Sequence, residues 1–410
     1  MSTFVIIGAA LAGAKAAETL RAEGFYGRLV LVGEETERPY ERPPLSKGYL
    51  LGKEPRDKAY VHEANWYAEH DVELLLGRRA TNLDAASHTV TIDGVDQFGY
   101  DKLLLATGSR VRTLAVPGAD LHGVRYLRTA DEADALLSAF REGGRVVVIG
   151  AGWIGLEAAA AAREHGCEVT VVETDTLPLR RVLGNELAAV FRDLHTAHGV
   201  TFHFNTSVQE FTGADGRLTG VTLPDGTTLP ADVALIGVGI RPNTELAEAA
   251  GLAVDDGVVT DAALRTSNPD VYACGDVARA HHPLIGVPLR VEHWSNALNG
   301  GPAAARSMLG QQVEYARVPY FFTDQYDLGM EYAGWAPPDG YDQVVFRGDV
   351  AAREFIAFWL SSGRVVAGMN VNVWDVQDQI QALVRAGYTG DPVDPTRLAN
   401  PAIPLADLTP

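Results

Sequence analysis

Short, unbroken apolar runs recur along the chain, and two of them end directly on glycine. Phe4-Val5-Ile6-Ile7 runs into Gly8, and Val146-Val147-Val148-Ile149 runs into Gly150. Four apolar residues without polar alternation predict strands buried on both faces, as in a parallel sheet. Each run opens a glycine-spaced turn, Gly8-Ala9-Ala10-Leu11-Ala12-Gly13 and Gly150-Ala151-Gly152-Trp153-Ile154-Gly155. Alanine-rich helical stretches follow, Ala14 to Leu20 and Leu156 to Arg163. Next comes a second strand closed by an acid, Leu29 to Glu34 in one case and Glu168 to Glu173 in the other. The pattern predicts two βαβ units. Their glycines let the backbone turn tightly beside a pyrophosphate, the helix N-terminus faces the phosphate charge, and the acid accepts from ribose hydroxyls. The first fingerprint has Ala10 where glycine is usual, and a small shift of the loop is expected there. Two dinucleotides on one chain imply electron traffic between them.

Between the units, Arg38-Pro-Tyr-Glu-Arg-Pro-Pro-Leu-Ser-Lys-Gly48 is too rich in proline for a central strand and reads as a loop or helix start. Strands are predicted at 72–76, 88–92 and 100–106, the last leaving through Thr107-Gly108 in a turn of the kind that lies beside nucleotides. After the second unit a helix is predicted near 186–198, with strands near Thr201, Leu218 and Val233. A glycine-punctuated loop, Gly237 to Thr244, comes next. The run Val271-Tyr-Ala-Cys-Gly-Asp276 predicts a strand ending in Gly-Asp, where Asp276 would cap a helix. From Tyr320 the density of β-formers and aromatics predicts a separate antiparallel sheet with helices near its end. The final stretch, rich in proline and alanine, is expected to be poorly anchored.

Composition narrows the function. The formal charge of −19 argues against nucleic acid and anionic membrane surfaces as partners. Cys167 and Cys274 are the two cysteines. They are far apart and in no CxxC pattern, which predicts a reducing cytoplasm with no disulfide framework and no metal cluster.

The order of Gly8–Gly13, Pro43-Pro44-Leu45-Ser46-Lys47, Ala106-Thr107-Gly108, Gly150–Gly155, Gly237-Val238-Gly239 and Gly275-Asp276 resembles the flavin reductases of glutathione-reductase fold. Within them it is similar to the ferredoxin reductases that serve oxygenases and haem monooxygenases. Arg290-Val-Glu-His-Trp294, Phe322-Thr-Asp-Gln-Tyr-Asp327 and Met369-Asn-Val-Asn-Val-Trp-Asp-Val376 carry the more specific likeness. The resemblance implies an α/β fold with two Rossmann-like domains and a C-terminal α+β domain. An FAD-binding domain would span 1–112 and 246–318, an NADH-binding domain 113–245, and a domain covering the flavin 319–410. It implies non-covalent FAD and NADH as electron donor, with a [2Fe–2S] ferredoxin as acceptor. For FAD it assigns Gly8, Ala12, Gly13, Glu34, Arg42, Lys47, Ala80, Thr107, Gly108, Arg128, Asp276 and Trp294. For the nicotinamide nucleotide it assigns Gly150, Gly152, Ile154, Gly155, Glu157, Glu173 and Gly239. Members commonly carry tryptophan where this chain has Phe322, which alters that contact surface.

Lys47 and Glu157 are the candidate catalytic pair. A lysine in a stiff Pro-Pro loop can stabilise the charge gathered by a reduced flavin. Glu157, expected on the first turn of the second fingerprint helix, is paired with that lysine in the family, although by itself it could simply satisfy the helix N-terminus. Glu173 predicts NADH over NADPH: at about 5 Å and an effective dielectric of about 20, it repels a 2′-phosphate by roughly 3 kcal/mol per unit charge. Asp175 adds to it, and Arg180 and Arg181 oppose it. A disulfide reductase of the same fold would need a cysteine in the Pro-Pro-Leu-Ser-Lys segment, which has none. Alternatives left open are electron supply to a rubredoxin or nitrite reductase, and a nicotinamide-sensing flavoprotein of apoptosis-inducing-factor type. An acidic protein facing acidic ferredoxins needs a local basic patch, for which Arg290, Arg306, Arg317, Arg347 and Arg353 are candidates.

Overall fold

The computed structural model describes residues 2–390 and 392–408. They form two compact units, one from Met1–Glu41, Asp57–Arg110 and Arg241–Phe321, the other from Arg42–Arg56, Val111–Ile240 and Phe322–Pro410.

In the first unit five parallel strands lie in the order Val271–Ala273, Lys102–Leu105, Thr3–Ile7, Arg28–Val32 and Val72–Leu75. Val5 sits beside Val30 on one side and Leu103 on the other. Although the strand Thr3–Ile7 is apolar throughout, its residues still alternate between two cores. Phe4 and Ile6 join Ala16, Leu20, Ala304 and Ala305, while Val5 and Ile7 join Val90, Ile92 and Leu252. Burial on both faces is why the sequence shows no polar alternation. The fingerprint helix Leu11–Ala22 packs on the long helix Trp294–Met308. Small residues permit the approach: a Cβ on Gly301 would lie 2.2 Å from the Ala12 carbonyl oxygen.

The second unit repeats the plan, with parallel strands Val200–His203, Glu168–Val172, Arg145–Ile149, Val233–Ile236 and Val124–Arg125 in that order. Val147 pairs with Thr170 and Ala234. The fingerprint helix is Trp153–Glu164, and Arg180–Ala197 is the helix predicted near 186–198. The tail forms a five-stranded sheet in the order Tyr320–Gln325, Leu328–Gly334, Arg364–Val371, Glu354–Ser361 and Gln343–Asp349. The helix Gln377–Thr389 lies against it through Ile380, Leu383 and Val384.

Two expectations need correction. The final stretch is well anchored: Leu398, Leu405 and Leu408 are buried. The buried Arg347 guanidinium donates to the carbonyls of Asn400 at 2.6 Å and Ile403 at 2.5 Å, and more weakly to those of Leu398 and Pro401. Proline and alanine hid this, because the anchoring group lies some fifty residues upstream. Secondly, Asp276 caps no α-helix. Gly275–Val277 is one 3-10 turn leading into the strand Ala278–His282. Among the described residues, no helix is long and apolar enough to cross a membrane.

Candidate functional site

Both glycine loops are fixed by the strand exit beside them. Gly8 has φ +119°, and a Cβ there would fall 2.0 Å from the Ala106 carbonyl oxygen; Gly150, at φ +96°, would meet the Gly237 carbonyl at 2.5 Å. The motifs Ala106-Thr107-Gly108 and Gly237-Val238-Gly239 are therefore the walls against which the loops turn. Asn243 ties down the first of these walls. Its amide donates to the Thr107 carbonyl at 2.8 Å, its backbone N–H donates to Gly108 at 2.9 Å, and its carbonyl accepts from the Thr107 hydroxyl. Gly239, at φ +98°, accepts from the Arg112 N–H at 2.9 Å. Ala10 requires no distortion, because its φ of −115° is ordinary extended backbone. The matching Gly152, at φ −80°, faces open space.

Neither fingerprint helix has a side-chain cap or an acidic residue in its first turn. Each N-terminal dipole therefore meets no carboxylate within its own first turn, and the residues present fit a dinucleotide pyrophosphate at each loop. Gly13 and Gly155 sit within these first turns, where the backbone passes within contact of the loop's first glycine.

In the first unit, Ala12 is buried beside Gly275. Glu34 is exposed at the end of its strand, with Arg79 at 3.4 Å. The Arg78 N–H bonds to the Gly33 carbonyl, and two residues on, Ala80 opens the strand Ala80–Asp84 of a separate three-stranded sheet. Asp276 lies close to Glu292 and His293, whose charges it influences. Burial lowers the His293 pKa to about 4 despite that neighbour; its ring stacks on Phe321 at 4.5 Å. Trp294 begins the long helix, and its indole N–H donates to Glu41 at 3.0 Å. Glu41 immediately precedes the Arg42 motif and was not singled out from the sequence.

In the second unit the Lys47 ammonium meets Glu157 Oε1 at 2.7 Å, with Glu157 buried and Lys47 nearly so. Glu157 does not lie on the first turn: the helix starts at Trp153, so it is the fifth residue and points into the protein rather than at the helix end. Two buried hydroxyls complete its shell, Ser46 donating to Oε2 and Thr323 to Oε1, each at 2.5 Å. The sequence alone does not mark out Ser46 or Thr323, although they stand inside Pro43-Pro44-Leu45-Ser46-Lys47 and Phe322-Thr-Asp-Gln-Tyr-Asp327. Their hydroxyls carry no charge or period, and only the fold reveals what they face. Lys47 lies 5.2 Å from the Phe322 ring centroid. Arg42 donates to the Arg128 carbonyl, and the Arg128 N–H donates to Glu132 at 2.8 Å. The same Glu132 completes a capping box with Thr129. Ile154 is exposed on the fingerprint helix's first turn, where most apolar residues of that helix are buried.

Glu173 is pinned. It accepts from the Ala151 N–H at 2.7 Å and the Asp175 N–H at 2.8 Å. Asp175 holds Arg180 at 2.7 Å, with Arg181 at 3.8 Å, and Arg180 keeps the Asp175 carboxyl below its ordinary range. The two arginines chemically suited to a 2′-phosphate are thus engaged by an acid.

Both cysteines are buried and free. Desolvation raises both thiols, Cys274 to about 12, so neither forms a thiolate near neutrality. The proposed arginine patch is largely spent on internal partners. Arg290 pairs with Asp256 and Glu292, Arg306 with Glu23, Arg353 with Asp327, and Arg347 holds the tail.

With that geometry in view, the chain matches the pyridine nucleotide-disulphide oxidoreductase family over residues 2–301 and a reductase C-terminal domain over 320–409. It is 40% identical to rhodocoxin reductase of Rhodococcus erythropolis over 370 residues, covering 90% of this chain and 86% of that protein. It is 39% identical to the ferredoxin–NAD(+) reductase component of the anthranilate 1,2-dioxygenase system of Burkholderia cepacia, covering 98% of each. The crystal structure of the ferredoxin reductase for the CYP199A2 system from Rhodopseudomonas palustris superposes with a TM-score of 0.95 at 35% identity, covering 100% of both chains.

Proposed function

This chain belongs to the pyridine nucleotide-disulphide oxidoreductase family, and we propose that within it the protein carries electrons from NADH through FAD to a [2Fe–2S] ferredoxin. That ferredoxin would serve a haem monooxygenase or a ring-hydroxylating oxygenase in the reducing cytoplasm. The observation that carries the reading is the combination of two open glycine loops with two buried, unreactive thiols. Without a thiol to relay them, electrons leave from the flavin itself. FAD, when bound, supplies the conversion of a two-electron donor into one-electron steps.

In the first unit Gly8, Ala12 and Gly13 would receive the FAD pyrophosphate and Glu34 the adenosine ribose, with Ala80, Thr107, Gly108, Asp276 and Trp294 as further contacts. In the second, Gly150, Gly152 and Gly155 would receive the NADH pyrophosphate, with Ile154 and Gly239 beside it. Glu173 would accept from the ribose 2′-hydroxyl. The Lys47–Glu157 pair closes the nicotinamide end, offering the ring a fixed ion pair in place of mobile water.

The test is NADH-driven, cytochrome-coupled turnover of the FAD-loaded protein with a panel of purified [2Fe–2S] ferredoxins and a rubredoxin. Turnover with at least one ferredoxin, retained when Cys167 and Cys274 are both replaced by alanine, is expected. A folded, FAD-loaded cysteine-free variant that loses turnover would overturn the thiol-free route. Turnover confined to rubredoxin would overturn the choice of acceptor.

A further inference from the structure

The motif Phe322-Thr-Asp-Gln-Tyr-Asp327 stood out in the sequence, yet electron transfer as described uses little of it. In the structure it is the middle of a buried hydrogen-bonded run. The Thr323 hydroxyl lies 2.5 Å from Glu157 Oε1, Gln325 Nε2 lies 3.1 Å from Thr323 Oγ1, and Gln325 Oε1 lies 2.7 Å from His195 Nε2. The Tyr326 hydroxyl lies 3.5 Å from His195 Nδ1, and its ring stacks on His198 at 3.7 Å. Thr323 and Gln325 are each 1% exposed and His195 is fully buried, so water does not compete for these bonds.

The direction of every bond follows from the carboxylate end. Glu157, paired with Lys47, can only accept, so the Thr323 hydroxyl donates to it. That hydroxyl then has only lone pairs left for Gln325, which must present its NH2. The Gln325 oxygen consequently faces His195 Nε2 and requires a proton there. The imidazole is therefore the neutral Nε2–H tautomer, with Nδ1 free to accept from Tyr326. Burial keeps this ring neutral, its pKa lowered to about 4. All donors point one way, toward Glu157.

We propose that His195 and Gln325 are positioning residues for the Lys47–Glu157 pair: they lock the Thr323 hydroxyl as a permanent donor to Glu157 and so hold the carboxylate in one orientation against Lys47. This extends the proposed reductase reading, since the pair's task is taken from it. His195 and Gln325 thereby act on the nicotinamide end through Thr323.

Gln325→Glu reverses the run while keeping its shape. Burial beside Glu157 raises the pKa of the new carboxyl, so once it ionises at alkaline pH it accepts from both His195 and Thr323, turning the Thr323 hydroxyl away from Glu157. Loss of one hydrogen bond to a charged group predicts a limiting rate of NADH-driven flavin reduction lower by about tenfold or more, with KM for NADH changed little. Thr323→Val should give a similar loss, and Gln325→Glu added to it should cost no more, because the donor is already gone. Independent additive losses, or a Gln325→Glu enzyme with the parent rate across the whole pH range, alkaline end included, would overturn the proposal. A second measurement needs no turnover. In protein carrying ¹⁵N-labelled histidine, the signal missing from a His195→Asn variant should report Nε2–H across neutral pH. An Nδ1–H tautomer there would refute the one-way run even if the reductase reading holds. A correct tautomer in a protein that never oxidises NADH would refute the reductase reading alone.

Discussion

Replacing Lys47 by methionine tests the energetics of the site most directly. Methionine keeps the length and apolar stem of lysine but removes the ammonium that lies 2.7 Å from Glu157. The carboxylate is left 3% exposed with the Ser46 and Thr323 hydroxyls as its remaining donors. Breaking a buried pair by removing one partner costs about 3–5 kcal/mol. The two surviving hydroxyls place this case at the lower end, about 3 kcal/mol. Removing the charge as well, in Lys47→Met with Glu157→Gln, should recover roughly 2 kcal/mol of that, since an amide in the same place is far cheaper to bury. At about 2–4 °C per kcal/mol for units of roughly 150–250 residues, Lys47→Met should lower Tm by about 6–12 °C, and the double variant by only a few degrees. The assay is thermal unfolding of the FAD-loaded proteins followed by circular dichroism. Stopped-flow bleaching of the flavin band by NADH is expected to be slowed in both variants. If the double variant is no more stable than Lys47→Met alone, the carboxylate is not stranded by loss of the lysine and the pair is not the coupled unit described here.

Three further outcomes are expected. Glu173→Gln should narrow the preference for NADH over NADPH by about tenfold or more, as roughly 3 kcal/mol of repulsion is removed before screening. Adding Asp175→Ser, which frees Arg180, should narrow it again, and equal affinities in the parent protein by nucleotide titration would contradict the assignment. Arg347→Met should strip the tail carbonyls of their donor, costing about 3 kcal/mol locally and raising amide exchange over residues 395–408; unchanged exchange would mean the buried leucines alone suffice. His195 and His293, with folded pKa values near 4 against about 6.5 when unfolded, bind fewer protons in the native state between those limits. Stability should therefore be flat above pH 6.5 and fall as pH drops toward 4, with His195 alone contributing about 2 kcal/mol of loss by pH 5; denaturant unfolding across that range measures it.

What the sequence determined by itself is whatever depends on neighbours along the chain. Both βαβ frames were legible because an apolar run, a glycine spacing and a following helix and acid are local patterns with one geometric solution. Even Ala10 is absorbed, since the loop needs only extended backbone at that position. The tail sheet was legible for the same reason, from its density of β-formers. The resemblance supplied Lys47 with Glu157, a pairing across 110 residues that no local period encodes. Tertiary structure alone decided the rest. It turned Glu157 from a helix end to the interior, made Gly275–Val277 a single turn before a strand, and buried Arg347 to hold a tail whose composition suggests looseness. It also matched Asp175 to Arg180 and oriented Thr323, Gln325 and His195 into one run. The physical reason is common to these cases. A hydroxyl, an amide or a guanidinium takes its meaning from the group it meets once water is excluded, and that meeting is set by packing between elements distant in the chain.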